Sequence, residues 1–126
     1  MTSLVIFSVS GEKLAHFYEM VLSFSRTQHP GDSNDYIRLQ KGKEELIIHT
    51  VPAQIAESIV LENPPVPREE SAMKPVFEVE SLSIAVEQVS NFGGIVTDRA
   101  FTLDGLTYRD IVDPEGNVLQ LRSVVL

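Results

Sequence analysis

The segment 108–122 constrains the fold of this chain more than any other part of the sequence. Its centre, residues 113–117, reads Asp-Pro-Glu-Gly-Asn. Pro114 fixes φ near the value that starts a turn, and Gly116 supplies a positive φ. The acidic and amide side chains at the ends of this pentapeptide can hydrogen-bond the local backbone. The segment after the turn alternates with the period of a strand, through Val118, Leu119, Gln120, Leu121 and Arg122. A β-hairpin is therefore predicted here.

Residues 1–51 predict a module of one strand, one helix and further strands. Residues 4–9 form an apolar, strand-like run, and Ser10 is the predicted N-cap of a helix over 12–24. After a polar loop over 28–34, alternating segments at 36–40 and 45–51 flank a turn at 41–44 and predict two strands. The helix has one apolar face, which carries Leu14, Phe17, Tyr18, Val21 and Leu22.

Residues 74–126 repeat this plan with little sequence identity. A strand at 75–79 precedes a helix that begins at 81–83 and ends near Asn91, and strands from Ile95 lead to the terminal hairpin. Between the modules, residues 52–73 predict a linker. It has a possible short helix over 53–62 and a proline-rich part, 63–71, which cannot form a helix or a central strand and is expected to be extended and exposed. One domain of two modules is predicted.

The repeated plan, the Phe17-Tyr18 pair followed by Val21-Leu22 in the first helix, and the terminal Asp-Pro-Glu-Gly-Asn hairpin together resemble one known family. This is the glyoxalase, bleomycin-resistance and extradiol-dioxygenase superfamily, also called vicinal oxygen chelate proteins, and the resemblance covers nearly the whole chain. It implies an α+β fold in which two βαβββ modules form an open, cup-shaped barrel around a small-molecule site. It also implies a homodimer.

The resemblance further implies four places from which metal-dependent members draw their ligands. In this chain the first is Leu4, or its neighbours Ser3 and Val5, and the second is Ile47 or His49. The third is Lys74 or Pro75, and the fourth is Gln120, where the family has a glutamate. Aliphatic side chains cannot bind a metal, lysine is a poor ligand, and divalent ions prefer carboxylates and imidazoles. We therefore expect no catalytic metal and no cofactor.

Strand alternation selects the candidate ligand-binding residues. If Leu119 and Leu121 pack under the helices, Gln120 and Arg122 face the presumed site. The sequence does not determine which side chains of segment 108–112 face it. His49 is either a general base or polar ligand contact, or a half-exposed histidine at a strand end. Arg38 and Arg122 either clamp a carboxylate or phosphate, or pair with acidic neighbours such as Asp110. The candidates are His49, Gln120, Arg38, Arg122, Ile47 and Tyr36.

Charge and composition narrow the classes of function. A net charge of −8 disfavours a nucleic-acid partner and mildly favours cationic ligands. The absence of cysteine excludes disulfides and thiolate metal sites, and no membrane segment is recognisable, so a cytoplasmic location is expected. The predicted function is metal-free binding of a small molecule, such as sequestration of a drug or metabolite. One alternative is a metal-dependent lyase, isomerase or dioxygenase acting on vicinal oxygens, and another is a regulatory subunit whose segment 63–71 contacts a partner.

Overall fold

A computed structural model describes residues 2–33 and 35–125 and divides them into two compact units. The first unit ends at Val60 and the second begins at Leu61. No helix in the described part of the chain is both long and apolar enough to cross a membrane.

The first unit contains a four-stranded mixed sheet with one helix against it. Its strands lie in the order β1-β4-β3-β2, with β1 parallel to β4 and the other neighbours antiparallel. The elements are β1 (Thr2–Ser8), α1 (Gly11–Leu22), β2 (Ser25–Thr27), β3 (Tyr36–Lys41), β4 (Glu44–Thr50) and the single turn α2 (Ala53–Ala56).

The second unit repeats this topology. Its strands lie in the order β5-β8-β7-β6, with β5 parallel to β8 and the other neighbours antiparallel. The elements are β5 (Val76–Glu78), α3 (Leu82–Asn91), β6 (Ile95–Leu103), β7 (Leu106–Val112) and β8 (Val118–Val124). The predicted α+β fold of two βαβββ modules is confirmed.

Each helix covers one face of its own sheet. Ser10 is the N-cap residue of α1, as predicted, and the predicted apolar face of this helix is buried against β3 and β4. In α3, the Ser81 hydroxyl accepts a hydrogen bond from the Ile84 amide at 3.3 Å and caps the helix. The two cores are built mainly from Leu14, Phe17, Tyr18, Leu39, Leu46 and Ile48 in the first unit, and from Val89, Ile111, Leu119 and Leu121 in the second.

Two local predictions differ from the structure. The helix expected over 53–62 is only the four-residue α2, which buries none of its residues. A short helix without tertiary packing is unstable in water, which explains its early end. Strand β2 was not predicted, because three polar residues show no measurable alternation. The loop expected over 28–34 includes Asn34, which lies outside the described residues.

The predicted turn at 113–117 is present and buried. Asp113 Oδ1 accepts hydrogen bonds from the amides of Glu115 and Asn117 at 2.9 and 3.0 Å, and Gly116 has φ of +90°. Residues 63–71, here called the proline segment, lie against this turn. The Arg68 amide donates to the Gly116 carbonyl at 2.8 Å, and Arg68 Nε donates to the Glu115 carbonyl at 3.0 Å. The proline segment therefore packs on the hairpin, which the sequence did not indicate.

Arg26 in β2 fastens this strand to α1 and makes part of the stability pH-dependent. Its two terminal nitrogens each lie 2.8 Å from an oxygen of Glu12, and this hydrogen-bonded cation lowers the pKa of Glu12 below the ordinary 4.5. A carboxyl whose pKa is lower in the folded state stabilises the fold above its ordinary pKa, and this contribution disappears as the pH falls through the folded-state value.

We expect Arg26→Gln to lower the free energy of unfolding by less than about 1 kcal/mol at neutral pH, because such ion pairs are screened by solvent. The difference from the wild type should shrink as the pH falls below 4.5. Urea unfolding of both proteins at neutral and acidic pH measures this. A difference that stays constant with pH would contradict the assignment.

Candidate functional site

One face of the first sheet is free of α1 and carries four of the six candidate residues. Strand register places side chains from β1, β3 and β4 side by side on it, and the predicted alternation is confirmed. We call it the first open face. It carries Ser3, Val5, Phe7, Tyr36, Arg38, Gln40, Glu45, Ile47 and His49.

An aromatic cluster forms one end of the first open face. The His49 ring lies between Phe7, at a centroid distance of 5.4 Å, and Tyr36, at 4.4 Å and nearly parallel. The parallel pairing of β1 places Phe7 opposite His49, and the antiparallel pairing of β3 places Tyr36 on its other side. Phe7 is 65% exposed and Tyr36 is 40% exposed. Such rings offer flat apolar surface with polar edges to a planar ligand.

Arg38 on the same face is held by carboxylates. Its Nε donates to Asp32 Oδ2 at 2.8 Å, and its Nη1 donates to Glu45 Oε2 at 3.4 Å. The hydrogen bond from Arg38 lowers the pKa of Asp32. Of the two interpretations of Arg38, the structure shows pairing with acidic neighbours.

The register of β1 corrects the first predicted metal position. Leu4 lies opposite Leu46 and shares its side of the sheet, which is the side facing α1. Leu4 therefore does not lie on the open face, because neighbouring residues of a strand point to opposite faces. Ser3 and Val5 are the β1 residues on the open face, and the Ser3 hydroxyl donates to Glu45 Oε1 at 2.6 Å.

The second sheet resolves the face that the sequence left undecided. Tyr108, Asp110 and Val112 lie opposite Arg122, Gln120 and Val118, so all six share the face away from α3. We call this the second open face. On the other face, Arg109 is opposite the buried Leu121, and its Nε donates to the Thr97 carbonyl at 2.6 Å.

A buried carboxylate is the centre of the second open face. Asp110 is 2% exposed on its side chain. Its Oδ1 accepts a hydrogen bond from Gln120 Nε2 at 3.0 Å, and its Oδ2 accepts one from Lys74 Nζ at 3.0 Å. Arg99 Nε is 3.7 Å from the same Oδ2. Gln120, the residue that the family resemblance aligns with a glutamate ligand, is thus an amide bound to a carboxylate that already has a lysine partner. We call this the Lys74–Asp110–Gln120 cluster.

Arg122 pairs with Glu78, not with Asp110. Its Nη2 lies 3.0 Å from Glu78 Oε1. Its Nε is buried and has no hydrogen-bond partner among residues 2–33 and 35–125. Beside it, Tyr108 stacks on Phe101 with ring centroids 4.6 Å apart, so this face also has an aromatic pair. The structure places Gln120 and Arg122 together on one sheet, and the other four candidates together on the other.

The side chains at the predicted metal positions do not form a divalent metal site. Among the described residues, no group of three or more histidine, aspartate, glutamate or cysteine side chains could hold a metal ion. Of the side chains at the four positions, His49 offers an imidazole nitrogen, Gln120 and Ser3 offer only uncharged oxygen atoms, and Lys74 brings a positive charge. The donor chemistry of these side chains therefore does not fit the metal site that the family resemblance implies.

Solved structures establish the architecture, whereas no family model and no curated protein matches the chain. A glyoxalase/bleomycin resistance protein/dioxygenase family enzyme from Burkholderia phytofirmans PsJN matches with a TM-score of 0.69 at 17% identity, over 98% of this chain and 97% of that one. The fosfomycin resistance protein FosX from Mesorhizobium loti matches with 0.68 at 11% identity, over 100% and 92%. A glyoxalase/bleomycin resistance protein from Albidiferax ferrireducens T118 matches with 0.68 at 15% identity, over 98% and 97%. This chain has the vicinal oxygen chelate fold.

Proposed function

We propose that this protein binds a small organic molecule without a metal ion, as a binding protein of the glyoxalase/bleomycin-resistance type. The observation that carries the proposal is the Lys74–Asp110–Gln120 cluster. It contains an ammonium group and an amide at Lys74 and Gln120, two positions that the family resemblance aligns with metal ligands.

Electrostatics supports the absence of a metal from this position. The charge of the buried Asp110 carboxylate is already balanced by Lys74 Nζ at 3.0 Å. A divalent ion at that carboxylate would lie within a few ångströms of the ammonium, and like charges at that distance repel. Metal binding would therefore require Lys74 to move away or lose its proton.

The two open faces support a role in binding. On the first, Tyr36, Ile47 and His49 combine apolar surface with a polar ring, and Arg38 adds a cation whose charge is balanced by carboxylates. On the second, Gln120 and Arg122 add polar groups beside an aromatic pair. Three of the structural neighbours are named for resistance to bleomycin or fosfomycin, which are small molecules. We extend the proposal to a cytoplasmic homodimer, as the family resemblance implies.

The proposal predicts that metals leave the stability unchanged, whereas a small ligand raises it. We expect zinc, nickel, manganese and iron(II) to shift Tm no more than EDTA does. Among choline, acridine orange and benzoate, representing cationic, aromatic cationic and anionic ligands, at least one should raise Tm, because a ligand at 100 times its Kd stabilises a protein by about 2.7 kcal/mol.

Two substitutions test whether ligand binding uses the first open face. Tyr36→Ala should weaken binding of acridine orange about three- to tenfold, since one stacked ring is lost. Ile84→Ala, which changes an exposed apolar side chain on α3, should not. Stoichiometric metal binding with a raised Tm would refute the metal-free part of the proposal. If none of the three compounds shifts Tm, the binding role is contradicted for all three ligand classes.

A further inference from the structure

The second unit contains a cavity whose lining includes Lys74 and Asp110 of the Lys74–Asp110–Gln120 cluster. It has a volume of about 350 Å³, which lies within the range of small-molecule sites. One wall is the chain from Arg68 to Lys74, and the opposite wall contains Arg99, Asp110 and Val118. The cavity thus lies directly beside the Lys74–Asp110–Gln120 cluster.

The charge of this cavity is opposite to that of the protein. The chain has 10 basic and 18 acidic residues. Three basic side chains, Arg68, Lys74 and Arg99, nevertheless line this one cavity, with two acidic ones, Glu69 and Asp110. The lining therefore carries an excess of one positive charge. A small anion approaching a protein of net charge −8 needs such a local excess to be bound.

Two of these cations have donors available for a ligand. Arg99 is 3.7 Å from Asp110 and 4.0 Å from Glu69, both longer than a hydrogen bond, so the carboxylates attract its guanidinium without using its N–H groups. Arg68 uses Nε to bind the Glu115 carbonyl, and its terminal nitrogens have no hydrogen-bond partner in the described part of the chain. This bond fixes the Arg68 guanidinium on the hairpin before any ligand arrives, which reduces the entropy lost on binding.

The third cation, Lys74, neutralises the buried Asp110 carboxylate, so that an anion can bind beside it. Asp110 alone would repel a negative ligand. Lys74 and Gln120 engage both of its oxygens at 3.0 Å, so the floor of the cavity is close to neutral. The two guanidinium groups then dominate the local field. A guanidinium binds the paired oxygens of a carboxylate or phosphate through two parallel hydrogen bonds.

We propose that Arg68 and Arg99 bind an oxyanion, the carboxylate or phosphate group of a small ligand, in the cavity beside the Lys74–Asp110–Gln120 cluster. This deepens the proposed function, on which it rests, by naming the charge of the ligand. Val118, Ala72 and Met73 on the same lining provide apolar surface for the uncharged part of that ligand.

Calorimetric titration with inorganic phosphate, malonate and choline at constant ionic strength tests this proposal. We expect phosphate or malonate to bind and choline not to compete. Phosphate binding alone identifies a phosphate site, and malonate binding alone identifies a carboxylate site.

Arg99→Gln should lower the affinity for the anion about tenfold or more, because a charge-assisted hydrogen bond is lost. Lys43→Gln, in the exposed β3–β4 turn, removes the same charge elsewhere and should leave the affinity within about twofold.

The outcomes separate this inference from the proposed function. Equal losses in Arg99→Gln and Lys43→Gln would mean that net charge alone attracts the anion, and would overturn the site. Failure of both anions to bind at millimolar concentration would also overturn it, even if acridine orange binds and the proposed function stands. Anion binding that needs Arg99, in a protein that also binds metal stoichiometrically, would keep this site and refute the metal-free function.

Discussion

Gly116→Ala is expected to lower the free energy of unfolding by about 3 kcal/mol, from two separate costs. Gly116 has φ of +90°, a conformation that disfavours any residue with a Cβ atom. An added Cβ would also lie 2.5 Å from the Val66 carbonyl oxygen, so either the turn or the proline segment must move. Because backbone atoms form this contact, no side-chain rotation relieves it. Urea unfolding of the variant measures the loss.

A second glycine in the same unit provides the matched control. Gly105 has φ of +77°, and a Cβ built there meets nothing within 4 Å. Gly105→Ala should therefore lower the free energy of unfolding only by the cost of a positive φ for alanine, about 1 kcal/mol. The excess loss in Gly116→Ala measures the contact with the proline segment. Equal losses in the two variants would show that this segment does not press on the turn.

Asp110→Ala is expected to destabilise the protein by about 2 kcal/mol. It removes the acceptor for the Gln120 amide, which is buried at 8% exposure, and leaves that amide without its partner. The lost pair with Lys74 adds little, because Lys74 is 43% exposed and water screens it. Thermal and urea unfolding of the purified variant provide the measurement.

Asp98→Ala is the control for Asp110→Ala, since it removes an exposed carboxylate from the neighbouring strand β6. Substitutions of exposed residues usually change the free energy of unfolding by about 0.5 kcal/mol or less. If the two variants lose the same stability, the buried hydrogen bonds of Asp110 do not hold the second open face together.

The fold was largely predictable because its signals are local. The helical spacing of Leu14, Phe17 and Tyr18 depends only on nearby residues, and so does the chemistry of the turn at 113–117. The turn also determines which residues of β7 and β8 lie opposite each other. Asp113 pairs with Asn117, so counting three residues outward on both strands places Asp110 opposite Gln120. That count would have chosen the face of β7 and found the buried carboxylate.

The remaining part of the site depends on contacts between distant segments. Lys74 reaches Asp110 because β5 runs parallel to β8, and Phe7 reaches His49 because β1 runs parallel to β4. No turn fixes the register of a parallel pair, and a slip of one residue exchanges the two faces, so the sequence did not determine the face on which Leu4 lies. The packing of the proline segment on the hairpin is likewise a contact without a local signal.

The parallel pairing of β1 with β4 has a consequence for how the chain is made. A ribosome produces β1 about 40 residues before β4, which at about 5–20 residues per second is a wait of several seconds. During that time the apolar side chains of β1 have no strand beside them, since β4 is the neighbour that holds this strand in its sheet. Outside the ribosome, the nascent chain therefore exposes an apolar segment until β4 has also emerged. Slower translation between the emergence of β1 and the emergence of β4 from the ribosome should lengthen that exposure and lower the yield of folded protein.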